Sequence, residues 1–477
     1  MANAAAPLAI IDATVIDGVS DTPRERCSIW IEDGRIRAIG ARQELGLPPS
    51  LQVFDAQGKY VIPGLMDANV HLLADVRLEN LARHMGHYED LIVEAAQVAL
   101  KSGLTTVFDT WGPRRHLIAV RDKINSGAVP GSRIFCAGNI IGFDGPFSAD
   151  FFVKAPEVAS AALVKRINAI WAENVGRHLM WLPPERVAGE VRRYIGTGID
   201  FIKYASNDHF PGAFLAFSPQ AQAAMVAEAQ RAGITAQAHT TSVEGLRIAI
   251  EAGCNLIQHA NITGPVPIPA ATLELLAQRR TGAVVFPFTQ RRLEWFMEKA
   301  DEATRCGYSA SDTNVRRLID SGVKLLMAWD SHLLAPEAAS DPAWFWAAPS
   351  DDSPHTLGQG HLAWLKAMEE KGCRPLEMLR AATHNIAVAY GKEKDLGTLE
   401  SGKIADLVIL DRNPLQAAAN YGAIHRILKE GAMVDRGALP ANPILTKPME
   451  PLTEEEISYM PFLGVGKLPM CPGCGPR

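Results

Sequence analysis

Six side chains in this sequence have the chemistry of a metal centre: Asn69, His71, Lys203, His239, His259 and Asp330. Each falls at or just after the C-terminal end of a short apolar run: VIPGLMDANVH, DFIKYAS, ITAQAH, NLIQHA and KLLMAWD. Imidazole nitrogens and carboxylate oxygens are the donors that hard and borderline divalent cations take. Taken singly, each histidine reads as a hydrogen-bonded core residue and the lysine as one half of an ion pair. Metal-capable side chains recurring at several consecutive run ends point instead to one shared site. His332, two residues beyond Asp330, is a possible additional ligand.

Such a set needs a scaffold that brings strand ends together. Between about residues 62 and 390 the chain alternates eight apolar runs, the others being TTVFDT, RIFCAG and AVVFPF, with helix-length amphipathic stretches. YEDLIVEAAQVALKSG, SPQAQAAMVAEAQRAG and SVEGLRIAIEAG each close on a glycine, the expected helix C-cap. Eight strand-then-helix units predict an α/β fold, a (β/α)8 TIM barrel with its active residues at the strand C-termini. No glycine-rich phosphate loop follows the first strand, which disfavours an open doubly wound sheet.

The flanking segments read differently. LAIIDATVID, CSIWIEDGRIRAIG and SLQVFDAQGKYVIPG near the start, and LGTLESGKIADLVILD with IHRILKEGAMVDRG near the end, are short strands broken by turns. Asp33-Gly34 supplies a two-residue hairpin turn. The organisation expected is a small β-sandwich built from residues 1–61 and 391–445, a barrel over 62–390 and a tail over 446–477. Residues 138–184 and 331–360 are long for connections and rich in aromatics, proline and glycine, as lids and binding loops are.

Composition narrows the classes. The 477 residues carry a formal net charge of -6, with 47% hydrophobic and 21% charged residues, an ordinary globular balance. Clustered Lys and Arg are lacking, which excludes a nucleic-acid partner. No run approaches the roughly 20 apolar residues of a membrane span, and the start lacks the basic region of a signal peptide. A cytoplasmic protein follows, with a small-molecule substrate and further copies of the same chain as expected partners. Seven cysteines at irregular spacing argue against a disulfide framework; the pair Cys471 and Cys474 is a lone CxxC of incidental or structural character.

With these residues in view, the sequence resembles the amidohydrolase superfamily over roughly residues 8–437, closest to its prolidase and imidazolonepropionase-like branch. GLMDANVH resembles the first-strand motif, GIDFIKYAS the strand whose lysine is carboxylated, AQAHTTSVEGLRIAIEAGCNLIQHA the next two histidines, and VKLLMAWDSH the last-strand aspartate. PLEMLRAATHNIAVAYG followed by LGTLESGKIADLVILD resembles the C-terminal motif. The resemblance implies two divalent ions, zinc or iron, bridged by carbamylated Lys203. His239 and His259 would serve one ion, His71 and Asp330 the other, with Asp330 also the catalytic proton shuttle.

One departure stands out. Asn69 occupies the place of the family's first histidine, and an amide oxygen is a weaker, uncharged donor. His84, His87 and Glu89 are candidates to compensate, beside the simpler reading of each as a surface residue. Three functions stay open: a hydrolase acting on an amide, ester or lactone of a lipophilic substrate; a nonheme diiron monooxygenase, since a subgroup with this barrel is of that kind and hydroxylates a lipophilic, CoA-linked acid; and a degenerate binding protein. Trp111, Phe143, Phe147, Phe151, Phe286, Phe288, Trp329, Trp344, Phe345 and Trp346 either line an apolar cavity or pack loops on the rim. Arg114 and Arg115 either meet an anionic group or lie in solvent.

Overall fold

The computed structural model describes residues 6–73, 78–152, 155–209, 214–336 and 352–447. Trp344, Phe345, Trp346, Cys471 and Cys474, and half of the 331–360 connection, lie outside the described residues.

Strands β1 (Leu8–Val15), β2 (Arg24–Glu32), β3 (Arg35–Ala41), β4 (Gln52–Asp55) and β5 (Tyr60–Pro63) open the chain. Asp33 at φ 50° and Gly34 at φ 74° make the predicted β2–β3 turn, pairing Glu32 with Arg35. These strands join three from the far end of the chain in one eight-stranded sheet. The pairing that fuses the two ends sets β5 antiparallel to Leu407–Leu410, whose alternating side chains face opposite ways. Val61, Leu407 and Ile409 enter a small core with Ile10, Ile29 and Ile31, whereas Ile62, Val408 and Leu410 enter the main core. The β2–β3 hairpin folds back on the chain ahead of this strand, Ile36 N donating to Lys403 O at 2.8 Å.

The main core lies inside a ring of parallel strands: β6 (Leu65–His71), β7 (Leu104–Asp109), β8 (Arg133–Cys136), β9 (Phe201–Ala205), β10 (Thr235–His239), β11 (Leu256–Gln258), β12 (Gly282–Val285), β13 (Leu325–Met327) and its continuation β14 (Ser331–His332). Ile141, just past β8, donates its N–H to Lys203 O (2.8 Å) and accepts at its carbonyl from Ala205 N (3.0 Å), joining β8 to β9. On the other side β14 pairs in parallel with β6, His332 opposite His71. The fold is the α/β barrel with a small β-domain drawn from both chain ends. The remaining strands are β15 (Leu407–Leu410), β16 (Ile424–Lys429) and β17 (Ala432–Met433).

A helix follows each barrel strand, and capping residues set where several begin. Ser218, Ser242 and Asp301 accept from the amides of Ala221, Gly245 and Thr304, each three residues on. Gly103, Gly233 and Gly253, the expected C-cap glycines, all have positive φ.

The 138–184 stretch departs from the loop expected of it. It contains a helix over Ala161–Ala172, capped by Ser160 and burying Ile167 and Trp171. Its proline- and glycine-rich flanks obscured a helical spacing of apolar residues in between.

The described cysteines are all free, with Cys27, Cys136, Cys254 and Cys373 buried and Cys306 exposed. Among the described residues no helix is long and apolar enough to cross a membrane.

Candidate active site

The strand rule fixes where the polar side chains go. Asn69 and His71 are two residues apart on β6 and therefore share a face. Lys203 is central in β9, His239 ends β10, and His259 and Asp330 fall just past β11 and β13. His259 (φ 37°) and Asp330 (φ 48°) are both left-handed, a conformation costing a non-glycine residue about 1–3 kcal/mol and common at functional sites.

One part of the constellation is a hydrogen-bond net in which both amide atoms of Asn69 are paired. Asn69 is fully buried. Its Nδ2 donates to Gln258 Oε1 at 2.9 Å, and its Oδ1 accepts from Thr110 Oγ1. Thr110 Oγ1 in turn accepts from Lys203 Nζ at 3.0 Å. Behind them Gln258 Nε2 donates to Gln237 Oε1 and to Ala68 O, and Tyr390 Oη donates to Ala68 O at 2.8 Å. Tyr390, in the C-terminal motif, thus braces the floor beneath β6. Asp109 accepts from the amides of Leu72 and Trp111, and its burial pushes the carboxyl up to about 7.

The other part has donors to spare. His71 Nε2 lies 3.3 Å from Asp330 Oδ1, while His71 Nδ1 and His239 Nε2 are buried without a hydrogen-bond partner. The His239 and His259 rings meet edge to face, centroids 4.6 Å apart at 74°. His259 Nδ1 is 2.6 Å from Thr240 O, which directs Nε2 as the ring's other donor atom.

Burial sets the protonation states. It lowers His71 and takes His239 well below the usual imidazole range, and it lowers His259 to about 4. These rings are neutral near pH 7, the form that ligates. Burial also brings Lys203 down to about 8, against the opposing pull of Asp330 and Asp109. For Asp330, burial is opposed by the His71 contact and the charges of Lys203 and His259, which together hold the carboxyl well below its ordinary value.

Among the described residues, no three of His, Cys, Asp and Glu form a ready-made coordination cluster. The donor set nonetheless fits a divalent cation: neutral imidazoles, an ionised carboxylate facing His71 Nε2, and the orphaned buried Nε2 of His239, which a cation would satisfy.

Two clusters of buried aromatic rings pack against the site rings. Trp111 stacks on Phe151 at 4.0 Å and stands edge-on to His71, while Phe143 stands edge-on to both Phe151 and His239. In the second cluster, Phe286 and Phe288 pack against Trp329, and Phe286 lies 5.4 Å from His259. The buried aromatics therefore touch the site rings directly.

Other candidates are engaged elsewhere. Arg114 and Arg115 both pair with Glu173, so neither is an anion-binding cation held in reserve. Glu89 is tied to Lys123 and His116, and His87 pairs with Asp90 at the surface. His84 is half-buried, its burial lowering the imidazole. His332 does lie beside the site, with Nδ1 2.9 Å from Asp330 O and its ring 5.9 Å from that of His355.

Three residues at the site were not foreseen. Thr110 directly follows β7, where the strand-end rule extended to hydroxyls would have found it. His209 sits in a loop, layered on His239. His355 lies in the 331–360 connection that the sequence marked as a binding loop, but no local spacing picks out this residue within it.

Comparison with known proteins bears on the fold and the family. Ochratoxinase of Aspergillus niger is 26% identical over 428 residues, covering 86% of this chain and 82% of that protein. The solved structure of molinate hydrolase superposes with a TM-score of 0.88 at 36% identity, covering 95% of this chain and 99% of the other. Phenylurea hydrolase B gives a TM-score of 0.88 at 34% identity, covering 93% and 100%. The amidohydrolase family model matches residues 60–434, from the last residues before the barrel through the strands that close the β-domain. That span contains every strand-end residue described above, and the chain belongs to the amidohydrolase family.

Proposed function

We propose that this enzyme hydrolyses the carbonyl–nitrogen bond of a small lipophilic aryl amide or urea. The observation that carries the reading is the orphaned buried nitrogen of His239, Nε2, together with His71 Nε2 turned to the Asp330 carboxylate, in a set that aromatic rings pack against. The aromatic clusters suit an apolar ring, and the likeness to a phenylurea hydrolase supports a urea or amide carbonyl.

His239 and His259 would hold one cation, His71 and Asp330 a second. The second is the weaker, because Asn69 commits its oxygen to Thr110 and its amide to Gln258. A divalent ion bound there supplies polarisation of the carbonyl and an acidified water. Lys203 reacts with CO₂ as the free amine, losing a proton to become a carbamate; its burial favours that uncharged form. Asp330, ionised in this setting, accepts the proton of the attacking water and returns it to the departing nitrogen. The aromatic clusters hold the ring and keep bulk water from the leaving group.

The test is a panel of N-aryl ureas, amides and esters offered to zinc-loaded protein, with arylamine release followed directly. Turnover with redox-inert zinc, equal in air and under argon, is expected. Activity only with ferrous iron and O₂ would contradict the reading and support a diiron oxygenase.

A further inference from the structure

His209 has no place in the proton and ligand roles above, yet it stands over the site. It lies on the connection after β9, next to two residues that are hydrogen-bonded. Asp208 N donates to Phe214 O at 2.8 Å, and Asn207 Oδ1 accepts from Thr241 N at 2.9 Å. The His209 ring is layered on His239 with centroids 5.3 Å apart and planes 18° from parallel. Phe151 lies 4.9 Å from it and Phe143 stands edge-on at 6.3 Å.

Two features separate it from the ligand histidines. The lone pairs of an imidazole lie in the ring plane, so layered rings do not aim them at one ion; His239 and His259, at 74°, are arranged differently. The second feature is where it stands. Trp111, Phe143 and Phe151 form an apolar wall, and the Trp111 indole N–H is already given to Asn139 Oδ1 at 3.0 Å. His209 is the polar ring added to that wall, and a lipophilic substrate carrying an amide needs such a partner to be oriented.

We propose that His209 is a substrate-contacting residue. Its imidazole hydrogen-bonds the amide or urea group of a substrate whose aryl ring packs against Trp111 and Phe151, and so turns the carbonyl towards the strand-end groups. This rests on the aryl amide or urea reading of the site.

The test uses the zinc-loaded full chain and N-phenylurea as probe, measuring binding by calorimetry, turnover by aniline release, and zinc per chain. His209→Phe keeps the ring packing and removes the hydrogen bond. Zinc content is expected to be unchanged, binding to weaken about fivefold to tenfold, the worth of one neutral hydrogen bond, and KM to rise by the same factor while kcat holds within about twofold. His209→Asn, which retains a hydrogen-bonding group, is expected to recover much of the binding. Unaltered binding in His209→Phe, or loss of its zinc, would overturn the assignment. If the wild type binds the probe without cleaving it and His209→Phe binds more weakly, the hydrolytic reading falls and the contact stands. If the wild type cleaves it and His209→Phe binds as tightly, the reverse holds. A wild type that neither binds nor cleaves N-phenylurea counts against both.

Discussion

The two parts of the active site differ in how their polar atoms are satisfied. Around β6, β7 and β9, Asn69, Thr110, Lys203, Gln258 and Gln237 pass hydrogen bonds to one another, and Tyr390 props the net from behind. At the end of β10, His239 Nε2 is left with nothing to bind, as is His71 Nδ1 on β6, while Gln237 Nε2 is the one unpaired amide at the back of the net. Leaving a buried polar atom unpaired costs about 1–3 kcal/mol, so proteins seldom keep one without a use. The net is architecture that holds strand ends in register. On the proposed function, the open part is where a cation and a substrate would complete the set.

Substitutions test this contrast. Asp330→Asn keeps the shape and removes the charge that works across the open part. Activity is expected to fall by about 10²–10⁴-fold, the usual contribution of a positioned acid–base group, with the fold intact by circular dichroism. A fall of less than tenfold would remove Asp330 from the reaction. Lys203→Ala crosses from one part to the other. It should strip most of the metal, measured per chain after gel filtration, and a small carboxylic acid should restore a fraction of the activity. Full metal occupancy in that variant would contradict a bridging role.

The open part also predicts a pH dependence. Burial holds His259 and His355 neutral down to about 4, whereas in the unfolded chain they take up protons near 6.5. Their contribution to stability is complete above about 6.5 and is lost as pH falls towards 4. In metal-free protein, the gap in urea resistance between wild type and His355→Gln should shrink over that window. A gap independent of pH would show that the imidazole does not titrate as described.

Smaller effects belong to the net. Thr110→Val leaves Asn69 Oδ1 without its donor and Lys203 without its acceptor. A loss of about 1–3 kcal/mol is expected in urea unfolding. Asn69→His should change least in stability and most in selectivity for metal, tightening the weaker site; unchanged affinity for a second equivalent would refute that.

Periodicity and strand-end position made the barrel and its metal-capable residues legible in the sequence. A side chain at the end of a parallel strand has few other places to point, and the Asp33-Gly34 turn is as local a rule. The helix over Ala161–Ala172 was less legible, because the residues around it carry loop composition. The pairing of Arg114 and Arg115 with Glu173 depends on a contact between connections far apart in sequence. His209 and His355 illustrate the same limit. Neither ends a strand, and both reach the site through tertiary packing of loops, which no local spacing encodes.

The central claim is that the open part activates water. It is tested most directly by tracing the oxygen that enters the product. Metal-loaded enzyme is incubated with an N-aryl urea or amide, in parallel, in H₂¹⁸O under air and in ordinary water under ¹⁸O₂. The product acid or carbonate is then read by mass spectrometry at times too short for exchange with solvent. Label arriving from water alone, at the same rate without O₂, is the predicted result. Label arriving from O₂ would contradict it.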